Sequence, residues 1–215
     1  PGETYMGGFA QFRQDILDPN SGLYGFAPDC VFLLCCAESL MPEVVNTPFL
    51  LNRQEQRKRA VDAAASLHEL ASNFTRQQKG AVVFIGNLIE LGTGHGLLEA
   101  NSDHSVTAAI RCFNEHLENL TEPESAIFVF DHATMAHRFG LDGWYDDRLK
   151  TIAGTPFSRN AIQTLARNIA RYAKTTITPA RKVLVLDLDN TLWGGVLGED
   201  GMSGIKLGKT GIGQA

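Results

Sequence analysis

Apolar residues recur along this chain in two rhythms. Between residues 53 and 78, Ala60, Ala64, Leu67, Ala71 and Phe74 return at alternating steps of four and three, which makes one stripe along a long helix. The same rhythm predicts a helix over about 104–120, with Val106, Ile110, Phe113, Leu117 and Leu120 on one face. It predicts another over 159–174, with Ile162, Leu165, Ala166, Ile169 and Ala173 inward, and a shorter one over 9–17 built on Phe9, Phe12, Ile16 and Leu17. A short helix is expected at 132–140. Between the helices lie compact apolar runs: CVFLLCCA (30–37), AVVFIG (81–86), AIFVFD (126–131) and KVLVLDLD (182–189). Such runs suit parallel strands covered on both faces.

Punctuation supports this division. DPNSG (18–22) and Lys79-Gly80 each end a helix, and Ser158 stands where a helix cap is wanted. The connections are too long for hairpins, so parallel strands joined by helical crossovers are expected. Residues 1–174 read as an α/β domain, a three-layer sandwich around a mainly parallel sheet. TTITPA (175–180) reads as a linker, and residues 181–215 as the start of a second domain.

With 215 residues, 44% hydrophobic and 20% charged, the composition is that of an ordinary soluble globular protein. A formal net charge of -5 argues against nucleic acid as a partner. The longest apolar run is too short to span a bilayer, and no signal peptide is visible. Because the sequence begins at Pro1, what lies upstream stays open. Three of the four cysteines, Cys30, Cys35 and Cys36, share one apolar run with Cys112 elsewhere. Adjacent strand residues point to opposite faces, so Cys35 and Cys36 make a poor metal pair. They read as small core residues in a reducing cytosol, and a cytoplasmic protein is expected.

The candidate chemistry sits in VLVLDLDNTLWGG (183–195), where an apolar run stops on two carboxylates. On a strand, Asp187 and Asp189 share one side, and open α/β sheets bind ligands beyond the carboxyl ends of their strands. Two carboxylates there repel each other, which a hard cation such as Mg²⁺ relieves while attracting phosphate oxygens. One carboxylate can attack phosphorus. The other can protonate the leaving oxygen and then activate water. The Thr191 hydroxyl and nearby backbone N–H groups can hold the phosphoryl oxygens.

VLVLDLDNTLWGG resembles motif I of the haloacid dehalogenase (HAD) superfamily. KVLVLDLDNTLWGGVLGEDGMSGIKLG (182–208) resembles the FkbH-like family within it, as do FRQDILDPNSGLYGFAPD (12–29) and WYDDRLKTIAGTPFS (144–158). The resemblance implies an SGNH/flavodoxin-like N-terminal domain, followed by the first strand and flap of a Rossmann-like HAD domain. It implies Asp187 as nucleophile and Mg²⁺ ligand, Asp189 as general acid/base with its carbonyl on the metal, and Thr191 in the phosphate site. It also implies a phosphatase and glyceryl transferase that dephosphorylates a phosphorylated three-carbon unit and loads it onto an acyl carrier protein in polyketide-type biosynthesis. The superfamily's three further motifs follow motif I, and the sequence stops at Ala215. The chain is therefore expected to be a fragment, inactive as it stands, whose residues 181–215 are poorly supported. None of the four cysteines corresponds to the family's carrier-loading thiol.

Other readings compete. Residues 1–174 could form a non-catalytic docking module for a carrier protein. An SGNH-type esterase would need an Asp-x-x-His, whereas FDHATMAH offers Asp131, His132 and His137 at other spacings. Asn87 in FIGN weakly resembles an oxyanion Asn block but reads more simply as a strand-end turn residue. LGTGHG (91–96) does not directly follow a strand and reads as a loop, failing the dinucleotide context. His95, His104, His116 and His132 show no ligand spacing, and His116 is expected to face solvent. Trp144 and Tyr145 read as a packing cluster, with a carrier or substrate contact as the sharper alternative. GEDG (198–201) reads as the turn of a hairpin flap.

Overall fold

The computed structural model describes residues 2–8, 11–90, 96, 105–121, 126–178, 183 and 185–207. It divides into two compact units, Pro1–Ile177 and Thr178–Ala215. In the first, α1 (Phe12–Leu17) and α2 (Gly22–Phe26) precede strand β1 (Cys30–Leu33). Two short helices, α3 (Ala37–Leu40) and α4 (Pro42–Asn46), lead to the long α5 (Arg53–Gln77). Then come β2 (Val82–Gly86), α6 (Val106–Leu120), β3 (Ile127–Phe130) and α7 (His132–Phe139). The unit closes with α8 (Leu141–Trp144), α9 (Asp147–Ala153) and α10 (Arg159–Ile177).

The strands form a parallel sheet in the order β1-β2-β3, with Val83 opposite both Val31 and Ile127. The alternating faces of these strands feed two cores. Leu33, Val83, Ile85 and Ile127 pack with α5 and α6 residues such as Leu67, Phe74, Ile110 and Phe113. Phe84 and Phe130 pack on the other face with Trp144, Ala161 and Leu165. This is the three-layer α/β sandwich. Successive parallel crossovers of one hand place α5 and α6 on the same face, and the chain after β3 covers the other.

The periodicity of the two central helices survives intact. Ala60, Ala64, Leu67, Ala71 and Phe74 are all fully buried. Asn52 closes a capping box, accepting from the Glu55 N–H at 3.0 Å while its own N–H donates to the Glu55 carboxylate at 2.7 Å. Ser105 caps α6 through the Ala108 N–H at 3.1 Å. The α10 stripe keeps Leu165 and Ile169 inward as expected but turns two of its other members out. Ala161 and Leu165 are buried and Ile169 and Tyr172 pack beside them, whereas Ile162 and Ala166 are exposed. Ser158 does cap this helix, accepting from the Ala161 N–H at 3.1 Å. The helix continues through Ile177, so the first three residues expected in the linker are helical.

Several other expectations change. The first apolar run is a strand only over Cys30–Leu33. Beyond it Cys36 stands at the start of α3 and is exposed, and the other three cysteines are half-buried against the two cores. Burial pushes the Cys35 thiol up to about 11, which keeps it an inert thiol. His116 is half-buried on α6 rather than solvent-facing. LGTGHG, apart from Gly96, and residues Phe9, His95 and His104 lie outside the described residues. Among the described residues no helix is long and apolar enough to cross a membrane.

In the second unit the apolar run 183–188 forms no strand among its described residues. Val183 and Val185 are 75% and 87% exposed. An isolated parallel strand has neither ladder partners for its backbone nor layers over its two faces. GEDG is likewise not a hairpin turn. It lies within α11 (Leu197–Gly204), kinked at Gly201. The excursion expected as a flap is closed instead by an antiparallel bridge, in which Gly194 and Lys206 exchange backbone hydrogen bonds at 2.9 and 2.8 Å.

Candidate functional site

Two polar clusters stand out, and they do different work. The first lies beyond the carboxyl ends of β2 and β3. The Asn87 amide donates to Asp131 Oδ1 at 3.0 Å, and its oxygen accepts from the Ala133 N–H at 2.8 Å. Its backbone N–H donates to the Phe130 carbonyl at 3.2 Å. Asp131 also caps α7, accepting from the Thr134 N–H at 3.0 Å. Burial acts to raise the Asp131 carboxyl, but the bonds from Asn87 and Thr134 outweigh it and hold the group below its usual value. Asn87 is thus a clamp between two strand ends and a helix start.

His132 is buried beside this clamp, and burial pushes its imidazole down to about 4. Its Nε2 and the Trp144 indole N–H are both buried without a hydrogen-bond partner among the described residues. The two rings lie 5.6 Å apart, centroid to centroid. His137 Nδ1 bonds the Ala133 carbonyl of its own helix at 2.7 Å. No hydrogen bond joins Asp131 to either histidine, so Asp131, His132 and His137 form no charge-relay arrangement. Trp144 is wholly buried against Phe139, His132 and Phe157. The Tyr145 ring stacks on Phe157, and burial pushes its phenol up to about 12.

The second cluster is the acidic loop of the second unit. Leu188 turns the chain: its carbonyl accepts from the N–H groups of Thr191 and Leu192 at 3.3 and 3.0 Å. Asn190 takes a left-handed conformation, φ 56°, which Asn tolerates better than most residues. It pairs with Gly195 twice. Its N–H donates to the Gly195 carbonyl at 3.3 Å, and its side-chain oxygen accepts from the Gly195 N–H at 3.0 Å. Gly195 has φ 103°, outside the range of ordinary side chains. Asp200 anchors the exit of the loop by accepting from the Val196 N–H at 2.8 Å.

This loop separates the duties of the three expected site residues. Asp187 Oδ1 accepts from the Leu188 N–H at 3.0 Å, and the Thr191 hydroxyl reaches Asp187 Oδ2 at 3.5 Å. Asp189 Oδ1 instead accepts from the Trp193 indole N–H at 3.1 Å and the Leu197 N–H at 3.2 Å. Asp187 and Thr191 are exposed, and Asp189 is half-buried. Thr191 is therefore brought to Asp187, while Asp189 is held by the Trp193 indole and the start of α11. The positioning residues Asn190, Trp193 and Gly195 were not singled out from sequence. Their signal was the stretch 190–195 that follows the two carboxylates.

The family model for the FkbH N-terminal domain matches residues 3–172. The chain belongs to this family. Its FkbH N-terminal domain coincides with nearly the whole first unit, and the acidic loop follows it. The chain is also similar to the crystal structure of the N-terminal part of a Bacteroides fragilis protein that contains a phosphatase domain and is complexed with Mg. That likeness has a TM-score of 0.67 at 25% identity and covers 99% of this chain, which spans 55% of the solved chain. No curated protein matches the sequence significantly.

The donor chemistry of the acidic loop suits Mg²⁺. Asp187 and Asp189 offer hard carboxylate oxygens, and Mg²⁺ is commonly held by one or two carboxylates with water and phosphate oxygens completing the shell. Among the described residues no three His, Cys, Asp or Glu side chains gather into a closed metal cluster.

Proposed function

We propose that the whole protein is a Mg²⁺-dependent HAD-type phosphatase whose nucleophile is Asp187. The observation that carries this reading is the division of labour in the DxDxT loop. Thr191 lies against Asp187, and Asp189 is oriented separately by Trp193 and Leu197. A nucleophile and an acid/base need such separate supports, since each must act in turn on the same phosphoryl group. The Asp187 carboxylate attacks phosphorus while Asp189 gives a proton to the leaving oxygen, breaking the P–O bond. Asp189 then takes a proton from water, which attacks the phospho-aspartate, releases phosphate and restores Asp187. The Thr191 hydroxyl donates to a phosphoryl oxygen. Asp187 and Asp189 would hold the Mg²⁺, which when bound would supply positive charge against the phosphoryl oxygens.

The substrate class in this reading is a phosphorylated three-carbon acyl or glyceryl unit, and the acceptor is an acyl carrier protein in polyketide-type biosynthesis. It rests on the family to which the chain belongs. The test is phosphate release by the full-length protein with and without Mg²⁺, beside its Asp187→Asn variant. Asp187→Asn should abolish release while leaving the fold unchanged, since Asp187 is exposed. Release that survives in Asp187→Asn would exclude the aspartyl-phosphate route.

A further inference from the structure

A cleft of about 440 Å³ runs between α7 and α10 in the first unit. One wall is the face of α7 that carries Thr134, Met135, Arg138 and Phe139. The other is the face of α10 that carries Asn168, Arg171 and Tyr172. That volume is within the range of small-molecule sites. Each wall contributes one arginine. In a chain of formal net charge -5, Arg111 is matched to Glu90 at 2.7 Å and Lys150 to Glu38 at 3.2 Å. Arg138 and Arg171 have no acidic partner within salt-bridge distance among the described residues. Asp131 also faces the cleft, but its Oδ1 accepts from Asn87 and from the Thr134 N–H.

We propose that this cleft binds a small organic phosphate. Two guanidinium groups on opposing walls outweigh the Asp131 carboxylate and leave the cleft positive for a phosphomonoester, and arginine's planar fork suits its oxygens. The Tyr172 ring is fixed by edge-on contacts to Phe130 and Phe84 at 5.0 and 5.4 Å, so its hydroxyl is presented at a set position. That hydroxyl has no partner among the described residues and can donate to the anion. Met135 and Phe139 give an apolar wall for the organic part of the ligand. Nothing in this argument uses the acidic loop at 187–191, so the cleft and the phosphatase reading stand or fall separately.

The test is calorimetric titration of the 215-residue chain with phenyl phosphate, inorganic phosphate and phenol. Arg138 and Arg171 are exposed, so Arg138→Gln and Arg171→Gln leave the core intact. Arg148→Gln, an exposed change on α9 outside the cleft, controls for general charge. Phenyl phosphate should bind more tightly than inorganic phosphate, and phenol should not bind. Each cleft variant should weaken phenyl phosphate about tenfold, the double variant should lose it, and Arg148→Gln should match the parent. Equal affinity in the double variant would overturn the proposal. So would equal weakening by Arg148→Gln, no binding of either phosphate, or arginine-dependent binding of polyglutamate without phenyl phosphate. That last result would make the cleft a docking surface for an acidic polypeptide.

Discussion

The runs VVFIG at 82–86 and VLVLDL at 183–188 are close to interchangeable on paper, and they fare in opposite ways. In the first unit β2 is paired on both sides, and its residues point into two separate cores. In the second, Val183, Val185, Leu186 and Leu188 are exposed and belong to no strand. An apolar run states only that burial would be favourable. Whether it becomes a strand depends on neighbours that satisfy its backbone and cover both faces. The polar residues invert this contrast. In the second unit order comes from local bonds, such as the Asn190–Gly195 pair and the supports of Asp189.

The largest expected effect of a single change lies where the first unit is densest. Phe74 is fully buried on α5 and packs against the Tyr24 ring at 5.6 Å. Phe74→Ala should cost about 3–5 kcal/mol of stability through lost transfer energy and a residual cavity. The midpoint and slope of urea unfolding would measure it. A cost below about 1 kcal/mol would mean that this core is not packed as described.

The second effect is a pH dependence confined to the first unit. Burial depresses the His132 imidazole to about 4, against an ordinary value of 6.5. Between those values the unfolded chain binds a proton that the folded one does not, so stability is full above about pH 6.5 and falls as pH drops towards 4. The loss between pH 7 and pH 5 should be about 2 kcal/mol. His132→Phe keeps an aromatic ring among Phe130, Trp144 and Phe157 and should flatten this part of the acid limb. Parallel urea titrations of parent and variant at the two pH values isolate His132 from the carboxylates. An unchanged acid limb in the variant would place the cause elsewhere.

Asn87→Ala removes two side-chain bonds of the clamp between Phe130, Asp131 and Ala133. It should cost about 1.5 kcal/mol. It should also raise the Asp131 carboxyl, because one of the hydrogen bonds that lowers it comes from Asn87. Carboxyl-carbon NMR titration of Asp131 would read the direction.

These residues also mark what the sequence could and could not reveal. The stripes of α5 and α6, the three strands of the sheet and the caps at Asn52, Ser105 and Ser158 follow from local chemistry. Of these, the stripes, the three strands and the Ser158 cap were legible at once. The α10 stripe was legible at Leu165 and Ile169 but drawn too wide, because Ile162 and Ala166 are also apolar and only the sheet decides which edge of the stripe turns inward. Asn87 looked like a turn residue because its partners are 44 and 46 positions away. The DxDxT chemistry was readable as a motif. Its geometry was not, because the orientation of Asp189 depends on Trp193 and on the start of α11 rather than on a strand pleat.

The smallest expected effect is the sharpest test of the comparison between the two runs. Val185 is 87% exposed. In the 215-residue chain Val185→Ser should therefore change stability by no more than about 0.5 kcal/mol. Its counterpart at the centre of β2, Ile85→Ser, buries a hydroxyl in the larger core and should be strongly destabilising. Hydrogen exchange gives the same contrast without mutation, since amides of 82–86 should be protected and those of 185–187 should exchange as unpaired backbone. A Val185→Ser cost approaching that of Ile85→Ser, or matching protection in both segments, would show that 183–188 is buried and paired. The site residues at 187–191 would then be held by a strand after all, and the local bonds to Asp189 would be a consequence of the site rather than its support.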